Sequence, residues 1–307
     1  MALLNTIYNL VSCGTDAILG TGTKGCKQFL KKATSLWITQ QGFKYDGTAT
    51  LDETYAQLEQ AKGNLIILKG IKTFTDNSSD DVEETLDDGT KQIATLGLYE
   101  FMATFINGLA FHAALHSLNS FGSYDMVFVD RDGNLLGTEA ADGSMKGFSI
   151  GMLQAGKLQF PTDATGQKES IKFQFSSRGE LDDKYVYIQQ VQIDPFQPQN
   201  LDGVNEVVLT APIPADLATT WVITAKSKAN QNVWVGGLTG DFELRRDDVV
   251  ESQTVVESPN GDYTFTVAAI GVGEVWTAHL HDTANVREII LQGTDLYKSN
   301  TPSKIAV

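Results

Sequence analysis

The sequence predicts a mainly β protein in two parts. Residues 1–200 read as a β-sandwich or barrel-like domain with one substantial helix, and residues 201–307 as an immunoglobulin-like β-sandwich. Three observations predict this. Apolar and polar residues alternate in short runs, as in Ile171, Phe173 and Phe175 against Lys172, Gln174 and Ser176, which gives one packed and one wet face. Asp-Gly and Asn-Gly pairs punctuate the runs, supplying the positive φ angles of tight hairpin turns. Finally, Asp194-Pro195-Phe196-Gln197-Pro198-Gln199-Asn200 has two prolines and no periodicity, so it reads as a linker or domain edge.

Taken in order, Gly14, Gly20, Gly22 and Gly25 make the stretch from Cys13 to Cys26 a loop,. Its GTGTKG run misses the phosphate-loop pattern, because Lys24 precedes Gly25 rather than Ser or Thr,. Lys24, Lys27, Lys31 and Lys32 form a basic cluster. It is either an arm for a neighbouring subunit's acidic face or a solvated run. Ser35–Thr39 is a short strand. Thr50 to Glu53 fits a capping box for a helix over Asp52–Ala61, ended by Gly63,. Asn64–Phe74 is a strand with an interruption at Gly70,.

The next ninety or so residues organise the chain. Val82–Leu86 and Lys91–Ala94 form a hairpin through Asp87-Asp88-Gly89,. Leu98, Phe101, Met102, Phe105, Ile106 and Leu109 recur at three- and four-residue steps, predicting a helix over 98–118. It is apolar over so much of its circumference that Phe101, Phe105 and Leu109 are expected to be buried, in the core or under a neighbouring subunit. Met126–Val129 and Leu135–Gly137 form a second hairpin through Asp130-Arg131-Asp132-Gly133-Asn134. That turn also resembles a calcium loop, but Gly133 is fourth from Asp130, whereas the EF-hand template needs glycine sixth. Strands continue over 149–160, 170–176 and 184–193. After Val204 the candidates are all strands: 206–210, 221–225, 233–235, 241–244, 252–257, 263–268, 275–280 and 287–291, a density typical of an immunoglobulin-like sandwich. Trp221, Trp234 and Trp276 supply its bulk in place of a disulfide,.

The net charge is −15, of which −12 falls in residues 51–202. Such a surface does not bind nucleic acid by neutralising phosphates. No apolar run reaches the length of a membrane-spanning helix, so no membrane partner is expected. The apolar N-terminus lacks a preceding basic segment and reads as part of the fold,. Two cysteines are too few for a thiolate zinc site or a disulfide framework; they are free thiols or one bridge,. His112 and His116, and His279 and His281, are pairs without a third ligand, and packed or interfacial histidines explain them,. The acidic pairs Asp80-Asp81, Glu83-Glu84 and Asp87-Asp88 read as solvated turn residues rather than a glycosidase dyad,. No G-x-S-x-G occurs,. The chain is expected to be no enzyme, with no cofactor and no metal.

The layout resembles bacteriophage virion proteins, in particular tail tube proteins of long-tailed phages. An acidic hairpin over Ser79–Ala94 is followed by a helix over Leu98–Leu118, a run of strands and an appended immunoglobulin-like domain. LGLYEFMATFINGL, FVDRDGNLLG and KGFSIGMLQAG are similar to stretches in virion proteins of phages infecting Bacteroidota. The likeness is one of layout and assigns no role to an individual residue. It implies a homo-oligomeric ring, often a hexamer, stacked into a tube within the virion and assembled in the host cytoplasm. Its partners would be its own copies and other virion proteins, with DNA passing through without specific binding. Asp80, Asp81, Glu83, Glu84, Asp87 and Asp88 are then candidates for an assembly contact or the lumen wall. Other readings are a capsid decoration or head–tail ring protein and, from a different class, a carbohydrate-binding or adhesive module presenting aromatic side chains.

Overall fold

The structure, a computed structural model, describes residues 30–45, 51–188, 196–228, 233, 235–258, 261–282, 288–293 and 295–307. The expectations for Cys13, Cys26, GTGTKG, Lys24, Lys27, Thr50 and Trp234 lie outside the described residues. The protein is mainly β, as predicted, with its sheets packed around apolar cores. It divides into two compact units, residues 1–56 with 64–201 and residues 57–63 with 202–307.

Two strands lie at the centre of the first unit, β1 (Ala33–Gln40) and β7 (Tyr124–Asp130). They pair antiparallel, with Leu36 opposite Phe128 and Trp37 opposite Val127. Both are apolar on successive residues, the mark of strands buried on two faces. Leu36, Ile38, Met126 and Phe128 enter a core with Phe148, Phe173 and Phe175. Trp37, Val127 and Val129 point the other way, into a second core with Ile67 and Leu135. The ten-stranded sheet is completed by β2 (Leu65–Lys69) and β3 (Thr73–Asp76), then β6 (Glu100–Phe105), β8 (Leu135–Glu139) and β9 (Met145–Lys146), and finally β10 (Phe148–Ala155), β11 (Glu169–Phe175) and β12 (Tyr185–Ile188). Helix α1 (Glu53–Ala61) starts where Asp52 Oδ1 accepts the Tyr55 N–H at 2.8 Å, so Asp52 caps it,. The two strands of the acidic hairpin, β4 (Val82–Thr85) and β5 (Lys91–Thr95), form a separate sheet.

The helix expected over 98–118 is two elements. Residues 100–105 are strand β6, and helix α2 covers only Leu109–Ser117. Phe101, Ala103 and Phe105 face inward at period two, with Glu100, Met102 and Thr104 between them. An apolar Met102 on the outward face let the same residues fit a helical period as well. Pairing with β11, Phe101 opposite Phe173 and Ala103 opposite Ile171, selects the strand. Gly108, at φ 93°, then turns the chain into α2,. Of the three residues expected on a buried helix, Phe105 is buried but in a strand, Phe101 is half-buried, and Leu109 is 64% exposed. Phe196 packs on Trp37 with ring centroids 6.2 Å apart and Leu201 is buried, so the proline-bearing segment is an edge of the first unit, anchored to its core by these two side chains. The final α-helix of the unit, α3, is a single turn, Gly179–Asp182.

The second unit is a two-sheet sandwich. One sheet has six strands in the order β17 (Thr254–Ser258), β18 (Asp262–Thr266), β14 (Thr220–Ser227), β13 (Val204–Thr210), β21 (Asp295–Ser299) and β20 (Ile290–Gln292). The other has β16 (Val249–Val250), β15 (Phe242–Arg246), β19 (Val275–Leu280) and β22 (Ser303–Ile305). Trp221 and Trp276 meet edge to face in the core, centroids 6.2 Å apart, beside Tyr263 and Phe265. The sequence reading missed β16, β21 and β22, all short. Val233 and Val235 attach by single backbone hydrogen bonds to Ser227 and Ala225 instead of forming a strand. From residues 57–63, Ala61 is buried with Ile289 and Leu296.

Candidate functional site

The acidic hairpin is built from local rules. Asp88 Oδ1 accepts the Thr90 N–H at 2.9 Å and the Thr90 hydroxyl at 2.6 Å, which shapes the turn,. Those bonds hold the Asp88 carboxyl below its ordinary range. Leu86 and Thr90 close the loop through a 2.8 Å backbone bond. Along the strands, Thr85 faces Lys91, Glu84 faces Gln92 and Glu83 faces Ile93, after which the register slips so that Val82 faces Thr95. Every residue of β4 and β5 is exposed. Among them Val82 is 57% and Ile93 55% exposed, and the flanking Leu96 is 57%.

The root of this arm is fixed. Asp81 Oδ1 accepts the Gly97 N–H at 2.8 Å and an Arg178 N–H at 2.8 Å. The Arg178 Nε reaches Asp182 Oδ2 at 2.6 Å, and the Tyr99 hydroxyl donates to Asp182 Oδ1 at 2.5 Å. The Gly97 N–H and then the Arg178 guanidinium hold the Asp81 carboxyl below its ordinary range. Gly97 is required here, because a Cβ on it would lie 1.9 Å from the Ser79 carbonyl oxygen. Helix α3 thus acts as a clasp. Its N-terminal neighbour Arg178 holds the arm, and its Glu180 accepts the Ser149 N–H at 2.6 Å and Lys146 Nζ at 2.9 Å on the main sheet.

The six carboxylates proposed from sequence differ in their local partners. Asp81 is committed to the root, Asp88 to the turn, and Glu83 pairs with Lys91 at 2.7 Å. Asp80, Glu84 and Asp87 are exposed. Sequence reading missed Tyr99, Arg178 and Asp182. Arg178 lies 97 residues from Asp81, and no local spacing announces that pairing.

The remaining candidates have local partners. His112 and His116 meet edge to face with centroids 4.5 Å apart. His279 and His281 flank Glu243 at 3.4 and 3.3 Å, and burial lowers the His279 pKa. Among the described residues, no group of three or more ligating side chains is arranged to hold a metal. Lys31 pairs with Asp132, and Lys32 donates to the Lys72 carbonyl, so both serve the first unit. An open cleft of about 460 Å³ is lined by Lys44, Glu139, Lys146, Ser149, Glu180 and Lys184, among others. There the Ser149 hydroxyl donates to Glu180 at 2.9 Å and accepts from the Lys146 ammonium at 2.7 Å. With its ammonium ion-paired to Glu180, Lys146 is no base for Ser149,. Trp221 and Trp276, 2% and 0% exposed, present no face to a glycan. No helix among the described residues is long and apolar enough to cross a membrane.

No protein-family model matches the chain. No curated protein matches it. Among solved structures it is similar to one titled "Crystal structure of Putative membrane anchored protein from Corynebacterium diphtheriae", with 9% identity and a TM-score of 0.22. The match covers 90% of this chain, which spans 58% of the length of the other. A score that low carries no inference about fold or function.

Proposed function

We propose that this chain is a structural subunit of a phage particle that works by self-association, as a ring-forming tail tube protein does. The observation that supports the reading is the arm formed by β4 and β5. An isolated two-stranded hairpin is marginally stable in water, and this one exposes Val82, Leu86, Ile93 and Leu96. Its root is nevertheless held by Asp81, Arg178, Asp182 and Tyr99. A rigidly rooted arm with apolar side chains in solvent gains from burial on another molecule. The net −12 of residues 51–202 favours passage of DNA rather than its capture,. With Asp81 paired to Arg178 and Glu83 to Lys91, a lumen wall would draw its charge from Asp80, Glu84, Asp87 and Asp88.

Electron microscopy of the purified chain tests the proposal. Rings or stacked tubes are expected. A particle that stays monomeric at every accessible concentration overturns it.

A further inference from the structure

A second orphan surface lies in the same unit. Helix α2 turns Phe111, Leu115 and Leu118 to the core. Of its other positions, Leu109, Ala110, Ala113, Ala114, His116 and Ser117 are exposed and His112 is half-buried. The residues flanking the helix are tied to the facing ends of β10 and β11. The Asn107 N–H donates to Glu169 Oε2 at 3.0 Å, and Asn119 Oδ1 accepts the Ala155 N–H at 2.6 Å. Around the helix and the β10–β11 connection, residues 156–168, the side chains of Ile106, Leu109, Phe121 and Phe160 are 54%, 64%, 82% and 72% exposed.

Charge distinguishes this surface from the rest of an acidic chain. Residues 101–124 are the longest run in the sequence without Asp, Glu, Lys or Arg. The adjoining connection carries Lys157 and Lys168 against one carboxylate, Asp163. The arm, by contrast, holds six carboxylates and one lysine between residues 80 and 91. An acidic arm meets an apolar, weakly basic wall here.

We propose that the α2 surface, with Ile106, Leu109, Phe121 and Phe160, receives the β4–β5 arm of a second copy of this chain. The inference rests on the self-association proposed above and names its two halves. Because the two patches differ, the contact is head-to-tail, and each copy keeps one arm and one receiving surface free for the next. Repetition closes a ring or extends a filament, depending on the rotation between copies.

Two variants of the full chain test this. Leu109→Glu spoils the receiving surface and leaves the arm intact. The double variant Val82→Asp, Ile93→Asp spoils the arm and leaves the receiving surface intact. All three positions are more than half exposed, so the fold tolerates the changes. Phe121→Glu replaces Leu109→Glu if circular dichroism shows the latter misfolded. By analytical ultracentrifugation, each variant alone should sediment as a monomer. An equimolar mixture should yield a dimer of twice the mass and nothing larger, since one good arm meets one good surface. If the α2 variants keep the wild-type oligomer, or the mixture stays monomeric, the pairing is wrong although self-association stands. A wild-type chain that is itself monomeric at all concentrations refutes the self-association.

Discussion

The two hairpins of the first unit share a sequence signal and have opposite fates. Both are strands joined through an Asp-Gly turn. In the β7–β8 hairpin Asp130 is fully buried. Its carboxylate accepts the N–H groups of Lys31, Asp132 and Asn134 at 3.0, 2.8 and 2.9 Å and the Asn134 side-chain amide at 2.8 Å. In the β4–β5 hairpin Asp88 serves the same turn-making purpose in full solvent. Turn chemistry makes the hairpin in both, and the strands decide whether it is buried. Met126 to Val129 are buried on both faces, whereas Val82 to Thr85 offer one apolar side chain among charges and bury nothing. A turn motif therefore predicts that a hairpin forms and says nothing about where it goes.

The sharpest way to test this contrast is to remove bulk from each hairpin. Phe128→Ala should cost the first unit about 3–5 kcal/mol, since it empties a site shared by Phe74, Phe101, Phe148, Phe173 and Phe175,. Urea unfolding of the monomer measures it, and a loss under about 1 kcal/mol would mean that the core closes over the gap. Next in size is Asp130→Ala, which strands four donors inside the unit. A loss of roughly 3 kcal/mol is expected, and the same experiment checks it. The matching change in the arm, Asp88→Ala, should alter stability by less than about 1 kcal/mol. If the two aspartate variants cost the same, burial is not what separates the hairpins.

Acid should act on the arm through its root. The folded Asp81 and Asp182 carboxyls are held below their ordinary range, Asp81 by the Gly97 N–H and Arg178, Asp182 by the Tyr99 hydroxyl and Arg178. Groups lowered on folding stabilise above their unfolded value and lose that contribution as pH falls through the folded value. Protease cleavage within 80–96 should thus be slow at neutral pH and accelerate below about pH 4. Arg178→Gln should give fast cleavage already at neutral pH while leaving the unit's melting temperature nearly unchanged. Equal cleavage of wild type and variant at neutral pH would show that the root does not restrain the arm. The smallest effect belongs to Ile93→Ser, expected within about 0.5 kcal/mol of wild type. A larger loss in the monomer would mean that Ile93 packs within its own chain.

Much of the fold was legible in the sequence, for physical reasons. Alternation along Ile171 to Ser176 and the two Asp-Gly turns act within a few residues, and local rules recover them. Residues 98–106 were misread because Met102, apolar on the wet face, satisfies both periods; only the partner strand β11 decides between them. The root of the arm was invisible for a similar reason, because Asp81 and Arg178 are brought together by the whole sheet. Strand β22 carries too few residues for a pattern of its own.

One pairing in the second unit sets a timetable. Strand β13, the first of its sandwich, lies parallel to β21, with Val204 beside Leu296 and Val207 beside Ser299. During synthesis β13 emerges long before its neighbour exists, so one of its edges stays open until residue 299 has left the ribosome. Contacts so distant in sequence fold slowly. The first unit, complete by residue 201, can settle while the second is still an open sheet. An unpaired edge in that interval is the point in the life of this chain most exposed to aggregation, and the one where a chaperone would have most effect.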